Sequence, residues 1–142
     1  MTDKLIQIGG VLVRGIDTNG ADYLIGVSSI GVRGTATATI ANGESLSAAV
    51  DIGDNVVASI VMPAAWTTAV ITFDASIDGT TYGPLYDRYG TEYSVQVAAT
   101  RSIPLSVQDF VGFRYLEIRS GTSGVPVNQA AERIIAIATR PV

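Results

Sequence analysis

The chain contains no cysteine and no histidine. That double absence removes disulfides, thiolate nucleophiles, Cys/His zinc sites, imidazole bases and Ser-His-Asp triads at once. An enzyme would be left with paired carboxylates, or a hard metal on oxygen ligands. Charge is scarce too. Only 15% of the 142 residues are charged, against about 25% in an ordinary soluble domain. Nine basic against thirteen acidic residues leave a net charge of −4, which offers no basic footprint for nucleic acid or an anionic membrane. Lysine is nearly missing: Lys4 stands alone beside eight arginines. This excludes a phosphate-cradling glycine loop with its lysine further along the chain. Arginine is enriched and lysine depleted where proteins meet proteins, because the guanidinium is weakly hydrated and bonds bidentately. A codon bias toward Arg and Ala would leave the same trace.

Long hydrophobic runs are missing as well. The longest uncharged stretch, residues 55–73, has Pro63 near its middle and reads as two strands around a turn, not as a membrane span. Met1-Thr2-Asp3-Lys4 lacks a basic leader and Gly9-Gly10 breaks the next apolar stretch, so no secretory signal is expected. The length suits one domain of roughly 150 residues, with or without an arm.

What the chain does have is alternation. Thr35, Thr37 and Thr39 alternate with Ala36, Ala38 and Ile40, and Leu46, Ala48, Val50 and Ile52 with polar neighbours. Asn42-Gly43 lies between them, which predicts a hairpin pairing 35–40 with 45–52. Residues 56–62 read as a strand buried on both faces, and 63–68 as a crossing loop with Trp66 as a buried plug. Ile71, Phe73, Ala75 and Ile77 are expected inward, opposite Thr72, Asp74, Ser76 and Asp78. A short strand at 82–86, a turn at 87–90 and strands around Val95, Ile103, Leu116 and Ile135 follow. Pro104 marks an edge. Residues 128–138 carry a competing helix reading with Asn128 as its cap, against which Ile134-Ile135 favours strand. The predicted core includes Ile71, Phe73, Val95, Val97, Leu116 and Ile118. The whole is expected to be an all-β antiparallel sandwich or jelly roll.

The first third is different. Residues 1–33 are read as an N-terminal Gly-rich arm or edge hairpin, and 34–142 as the sandwich domain. Leu5, Ile6, Ile8, Val11, Leu12, Val13, Arg14, Tyr23, Leu24 and Ile25 supply apolar contact surface among many glycines, which are costly to order. These ten are the candidate partner-binding residues. Either the segment is fixed against a neighbouring subunit, or it forms the sandwich's own hairpin around Asn19-Gly20.

Candidate chemistry is thin. The carboxylates fall mostly at turns and on outward strand positions. Asp51 and Asp54 around Gly53, and Asp74 with Asp78, lack the dense spacing of a calcium loop and read as turn formers. No catalytic residue, cofactor or metal site is expected. Trp66, Tyr82, Tyr86 and Tyr89 form a candidate glycan platform, against which stands plain packing.

Two segments carry a resemblance. Residues 73–86, with Ser76-Ile77-Asp78-Gly79, Tyr82 and Leu85, resemble a hairpin of discoidin-like and carbohydrate-binding jelly rolls. Arg114-Tyr115-Leu116-Glu117-Ile118 resembles one of their strands. The wider stretch 56–138, with Val61-Met62-Pro63-Ala64-Ala65-Trp66-Thr67, Gly121-Thr122 and Pro126-Val127-Asn128-Gln129-Ala130-Ala131, is similar to small structural proteins of tailed bacteriophages, notably capsid decoration or cement proteins. The resemblance implies a virion protein on the capsid exterior, made in the bacterial cytoplasm. Its partners would be the phage major capsid protein and copies of itself, as a dimer or trimer, with neither nucleic acid nor membrane involved. The alternative is a carbohydrate-binding jelly-roll module of a head fibre, spike or tail protein.

Overall fold

The computed structural model describes residues 3–8, 11–16 and 32–142. The chain divides into two compact units, Met1–Val32 and Arg33–Val142. In the first, β1 (Asp3–Ile8) pairs antiparallel with β2 (Val11–Ile16), with Ile6 opposite Val13 and Ile8 opposite Val11. Asn19-Gly20, the expected hairpin turn, lies outside the described residues.

The second unit is an antiparallel β-sandwich. Its strands are β3 (Gly34–Ile40), β4 (Val50–Asp51), β5 (Asn55–Val61), β6 (Ile71–Ser76), β7 (Gly83–Pro84), β8 (Ser94–Val95), β9 (Ser102–Pro104), β10 (Tyr115–Ser120) and β11 (Arg133–Pro141). One sheet has the order β3-β11-β5-β9; the other runs β4-β10-β6-β7, with β8 also on β6. Pro104 sits on the edge strand β9, where its missing N–H costs no ladder bond. The helix reading of 128–138 does not hold: residues 130–132 are irregular and β11 begins at Arg133, with Ile135 and Ile137 alternating inward.

The core lies between the sheets. Ile40, Ile60, Ile71, Phe73, Leu116, Ile118, Ile135 and Ile137 are buried to within a percent or so. Phe73, Phe110 and Tyr93 form an aromatic trio with centroids 5.1–5.8 Å apart, two of the three contacts edge-on, the geometry that ring quadrupoles favour. Of the predicted core, Val97 is only partly buried but packs against it.

Several expectations fail for tertiary reasons. Asn42-Gly43 does turn, with Gly43 at φ +81°, yet 35–40 and 45–52 do not form a hairpin. β3 pairs with β11, while the second segment crosses to the other sheet and runs beside β10. There Ser47 N–H donates to Ile118 C=O (2.8 Å), Ile118 N–H to Ser47 Oγ (2.9 Å) and Ile52 N–H to Arg114 C=O (3.0 Å). Ser47 is therefore buried and Leu46 turned out, reversing the expected inward face at that point, while Val50 and Ile52 further along are buried. Residues 56–62 are not buried on both faces throughout. A register shift between Ala138 and Thr139 brings both Val56 and Val57 inside, after which Val61 is exposed. Ile77 is 76% exposed because β6 ends at Ser76 and Asp78 turns the chain, its Oδ1 accepting from the N–H groups of Thr80 and Thr81. Residues 82–86 contribute only the two-residue β7. Trp66 is half-buried, its indole N–H donating to Ala69 C=O at 3.1 Å.

Gly121 shows why the loop after β10 needs glycine. Its φ is +90°, and a Cβ there would lie 2.5 Å from the Val125 carbonyl oxygen and 2.7 Å from Val127 N, both backbone atoms.

Candidate functional site

A concavity is set into the tip of one hairpin. Leu85 N–H donates to Phe73 C=O and Tyr93 N–H to Leu85 C=O, each at 2.8 Å. Tyr86 bridges to Glu92. At the tip, Asp87 Oδ1 accepts from Tyr89 N–H (2.8 Å) and Thr91 N–H (3.0 Å), and Asp87 N–H donates to Thr91 C=O (2.8 Å). Gly90, at φ +86°, closes the turn. This Asx arrangement is the local physics of an Asp-x-x-Gly tip. The result is a cavity of about 540 Å³ lined by Leu85, Tyr86, Asp87, Arg88, Tyr89, Tyr93 and Asp109.

Floor and rim differ in character. Leu85 is buried, and Tyr93 is held in the aromatic trio. The Tyr93 hydroxyl is pushed above its ordinary pKa by burial, then by the charge of Asp109 and the hydrogen bond it donates to that carboxylate. On the rim, Tyr86 is 50% and Tyr89 85% exposed.

A second polar constellation covers the outer face of β6 and β10. Thr72, Asp74 and Ser76 are buried although they point away from the apolar core. Arg119 Nη2 donates to Asp74 Oδ2 at 2.6 Å, and Arg119 lies 3.9 Å from Glu92. Glu92 in turn accepts from Ser123 N–H at 3.1 Å, and Thr72 Oγ donates to Gly121 C=O at 2.7 Å. The strand face is thus stitched to the hairpin and to the loop after β10. Asp74 Oδ1 is buried with no hydrogen-bond partner. Directly across from Asp74, Glu117 has its carboxyl held above the usual range by burial, then by the Asp74 charge, with Arg119 opposing.

A third cluster centres on Gln129, buried at 1% exposure. Its Nε2 donates to Thr67 C=O (3.0 Å) and Ser120 Oγ (2.6 Å), and its Oε1 accepts from Thr67 N–H (2.9 Å) and Arg133 Nε (3.1 Å). It clamps the crossing loop to the segment before β11. Sequence reading did not single it out, because an isolated polar residue in a loop carries no periodic signal.

The turn carboxylates serve the backbone. Asp51 is held below the ordinary range by Arg114, 2.9 Å away, and by Gly53 N–H. Among the described residues no group of three or more acidic side chains is placed to hold a metal ion.

The structure gathers only part of the expected glycan platform. Tyr86 and Tyr89 line the cavity, joined by Tyr93. Trp66 lies on the crossing loop, and neither it nor Tyr82 is among the residues lining the cavity. Of the candidate partner-binding residues, Leu5, Ile6 and Ile8 are on β1, and Val11, Leu12, Val13 and Arg14 on β2. Tyr23, Leu24 and Ile25 lie outside the described residues. No protein-family model and no curated protein matches the chain.

Proposed function

We propose that the chain is a structural virion protein of a tailed bacteriophage, a decoration or cement protein that binds the outside of the capsid and bridges major capsid protein subunits. The observation that carries this reading is the division of the chain into a β-sandwich and a separate N-terminal unit holding a strand pair. Two paired strands are marginal on their own in water and gain stability from the surface that covers them. In the proposal that surface belongs to a neighbouring subunit, reached by strand addition or by lying in a groove. The sandwich supports the reading with a sparsely charged exterior on which Arg88, Arg101 and Arg140 are exposed. The resemblance of residues 56–138 to phage structural proteins supplies the class. A specific contact needs roughly 800 Å² from each partner, and repeated copies on a shell add avidity to weak single contacts. No catalysis or cofactor enters this role.

The test is to delete residues 1–33 and mix the remaining domain, and the full chain, with expanded heads of the parent phage that lack the protein. The full chain is expected to sediment with heads and to appear in images at many copies per particle. The truncated domain should fold but remain in the supernatant. A truncated chain that unfolds would place the segment in the sandwich's own core and remove the arm from the proposal. A full chain that ignores the heads would overturn the role itself.

A further inference from the structure

We propose that the hairpin-tip cavity bounded by Tyr86, Tyr89 and Asp109 is a binding site for a neutral pyranose oligosaccharide. Four observations lead there. First, the cavity's volume of about 540 Å³ falls within the 300–1,000 Å³ typical of ligand sites. Second, its rim displays two aromatic rings that the fold does not bury, Tyr89 at 85% and Tyr86 at 50% exposure. Exposed rings offer flat apolar faces, and the axial C–H face of a pyranose is the complementary surface, with hydroxyls around its edge. Third, hydrogen-bonding groups stand beside those rings. Asp87 spends its Oδ1 on the turn, while its Oδ2 accepts no hydrogen bond among the described residues; Arg88 likewise has no acidic partner among them. A carboxylate accepts from adjacent sugar hydroxyls and a guanidinium donates to them. Fourth, the site is already ordered: the Asp87 turn holds the rim, and Tyr93 ties the floor to Phe73 and Phe110. Little conformational freedom is left to lose on binding.

The charge balance selects the ligand class. Asp87 and Asp109 outnumber Arg88 at the cavity. Sialylated or uronic-acid chains would meet like charge there, whereas neutral sugars would not. The site is independent of the proposed shell contacts, since it needs only the sandwich.

The experiment uses the full chain without capsids. Calorimetric titrations with maltohexaose, cellohexaose and chitohexaose are run beside sialyllactose and oligogalacturonate. At least one neutral chain is expected to bind, with Tyr89→Ala and Tyr86→Ala each weakening it by about tenfold or more, the scale of losing one aromatic anchor. Ile134→Ala, an exposed change on β11, should leave affinity unchanged. Circular dichroism identical to the parent confirms that the tyrosine variants are folded, and Tyr89→Ala alone decides the matter if Tyr86→Ala is not. Failure of all three neutral chains to bind, preference for the acidic ones, or parental affinity in Tyr89→Ala would each overturn the site.

Discussion

Replacing Gln129 by alanine tests whether the buried amide clamp holds the loops of the sandwich. The side chain makes four hydrogen bonds, two through Nε2 and two through Oε1. A typical net value of about 1 kcal/mol per bond sets an upper bound near ~4 kcal/mol. Thr67 is half-buried and its peptide groups can recover water, which lowers the cost. Ser120 is fully buried and its hydroxyl loses the Gln129 partner, which keeps the cost from vanishing. We therefore expect Gln129→Ala to cost about 2–4 kcal/mol. Urea titration should show a lower midpoint with an unchanged slope, the signature of lost stability without a change in the surface exposed. Gln129→Glu sharpens the test, because it keeps the shape but turns the bond to the Thr67 carbonyl into a contact between two acceptors, while the Ser120 hydroxyl can rotate to donate instead. It should also destabilise, with Arg133 offsetting part of the loss. A Gln129→Ala variant within about 0.5 kcal/mol of the parent, the range of ordinary surface changes, would refute the clamp.

Other perturbations follow from the same geometry. Phe73→Ala removes a ring that is 1% exposed and central to the aromatic trio; a loss of ~3–5 kcal/mol is expected in urea titration, and an unchanged midpoint would contradict its place in the core. Gly121→Ala combines a φ of +90° with a Cβ set against backbone, so it should cost more than the ~1–2 kcal/mol of a left-handed residue alone; a melting temperature equal to the parent's would count against that geometry. The pH response has two signs. Asp51 and Asp78 are held below their ordinary 3.8, so the folded state binds their protons less tightly than the unfolded chain does. The stability they contribute is present above that value and is lost as pH falls through the folded pKa. Glu117 is held above its ordinary 4.5, so its contribution is present below that value and lost as pH rises through the folded pKa. Glu117→Gln should match or exceed the parent's stability at pH 7 and give up any advantage below about pH 4.5; a variant less stable at pH 7 would show that the charge is favourable where it stands.

The strand content was legible in the sequence because alternation is a local property. Side chains on a strand alternate faces whatever the partner strand is, so Ile71 and Phe73, and Leu116 and Ile118, revealed both their elements and their burial, and the β-branched Ile134-Ile135 revealed the last strand. Pro104 revealed an edge for an equally local reason, the missing N–H. Absent residue types narrowed the chemistry with no structure at all.

Partner choice was not local, and only the tertiary structure decided it. Asn42-Gly43 makes its turn as expected, but the next segment finds more to bury and bond beside β10 than beside β3, so the hairpin gives way to a crossing between sheets. The same reason explains the buried polar face of β6. In the sequence Thr72, Asp74 and Ser76 look like solvated positions; Thr72 and Asp74 are covered because Arg119 and the Gly121 loop reach that strand from distant parts of the chain, while Ser76 is tied locally to Asp78 and Gly79. Gln129 becomes a clamp only once Thr67, Ser120 and Arg133 surround it. The tyrosines, close in sequence, were sorted by the fold into core, rim and elsewhere: Tyr93 joined the aromatic trio, Tyr86 and Tyr89 were left facing water, and Tyr82 went to a different neighbourhood. Composition and periodicity determine which side chains must leave water; which of them meet is set by long-range packing, where each contact competes with every other that the chain can reach.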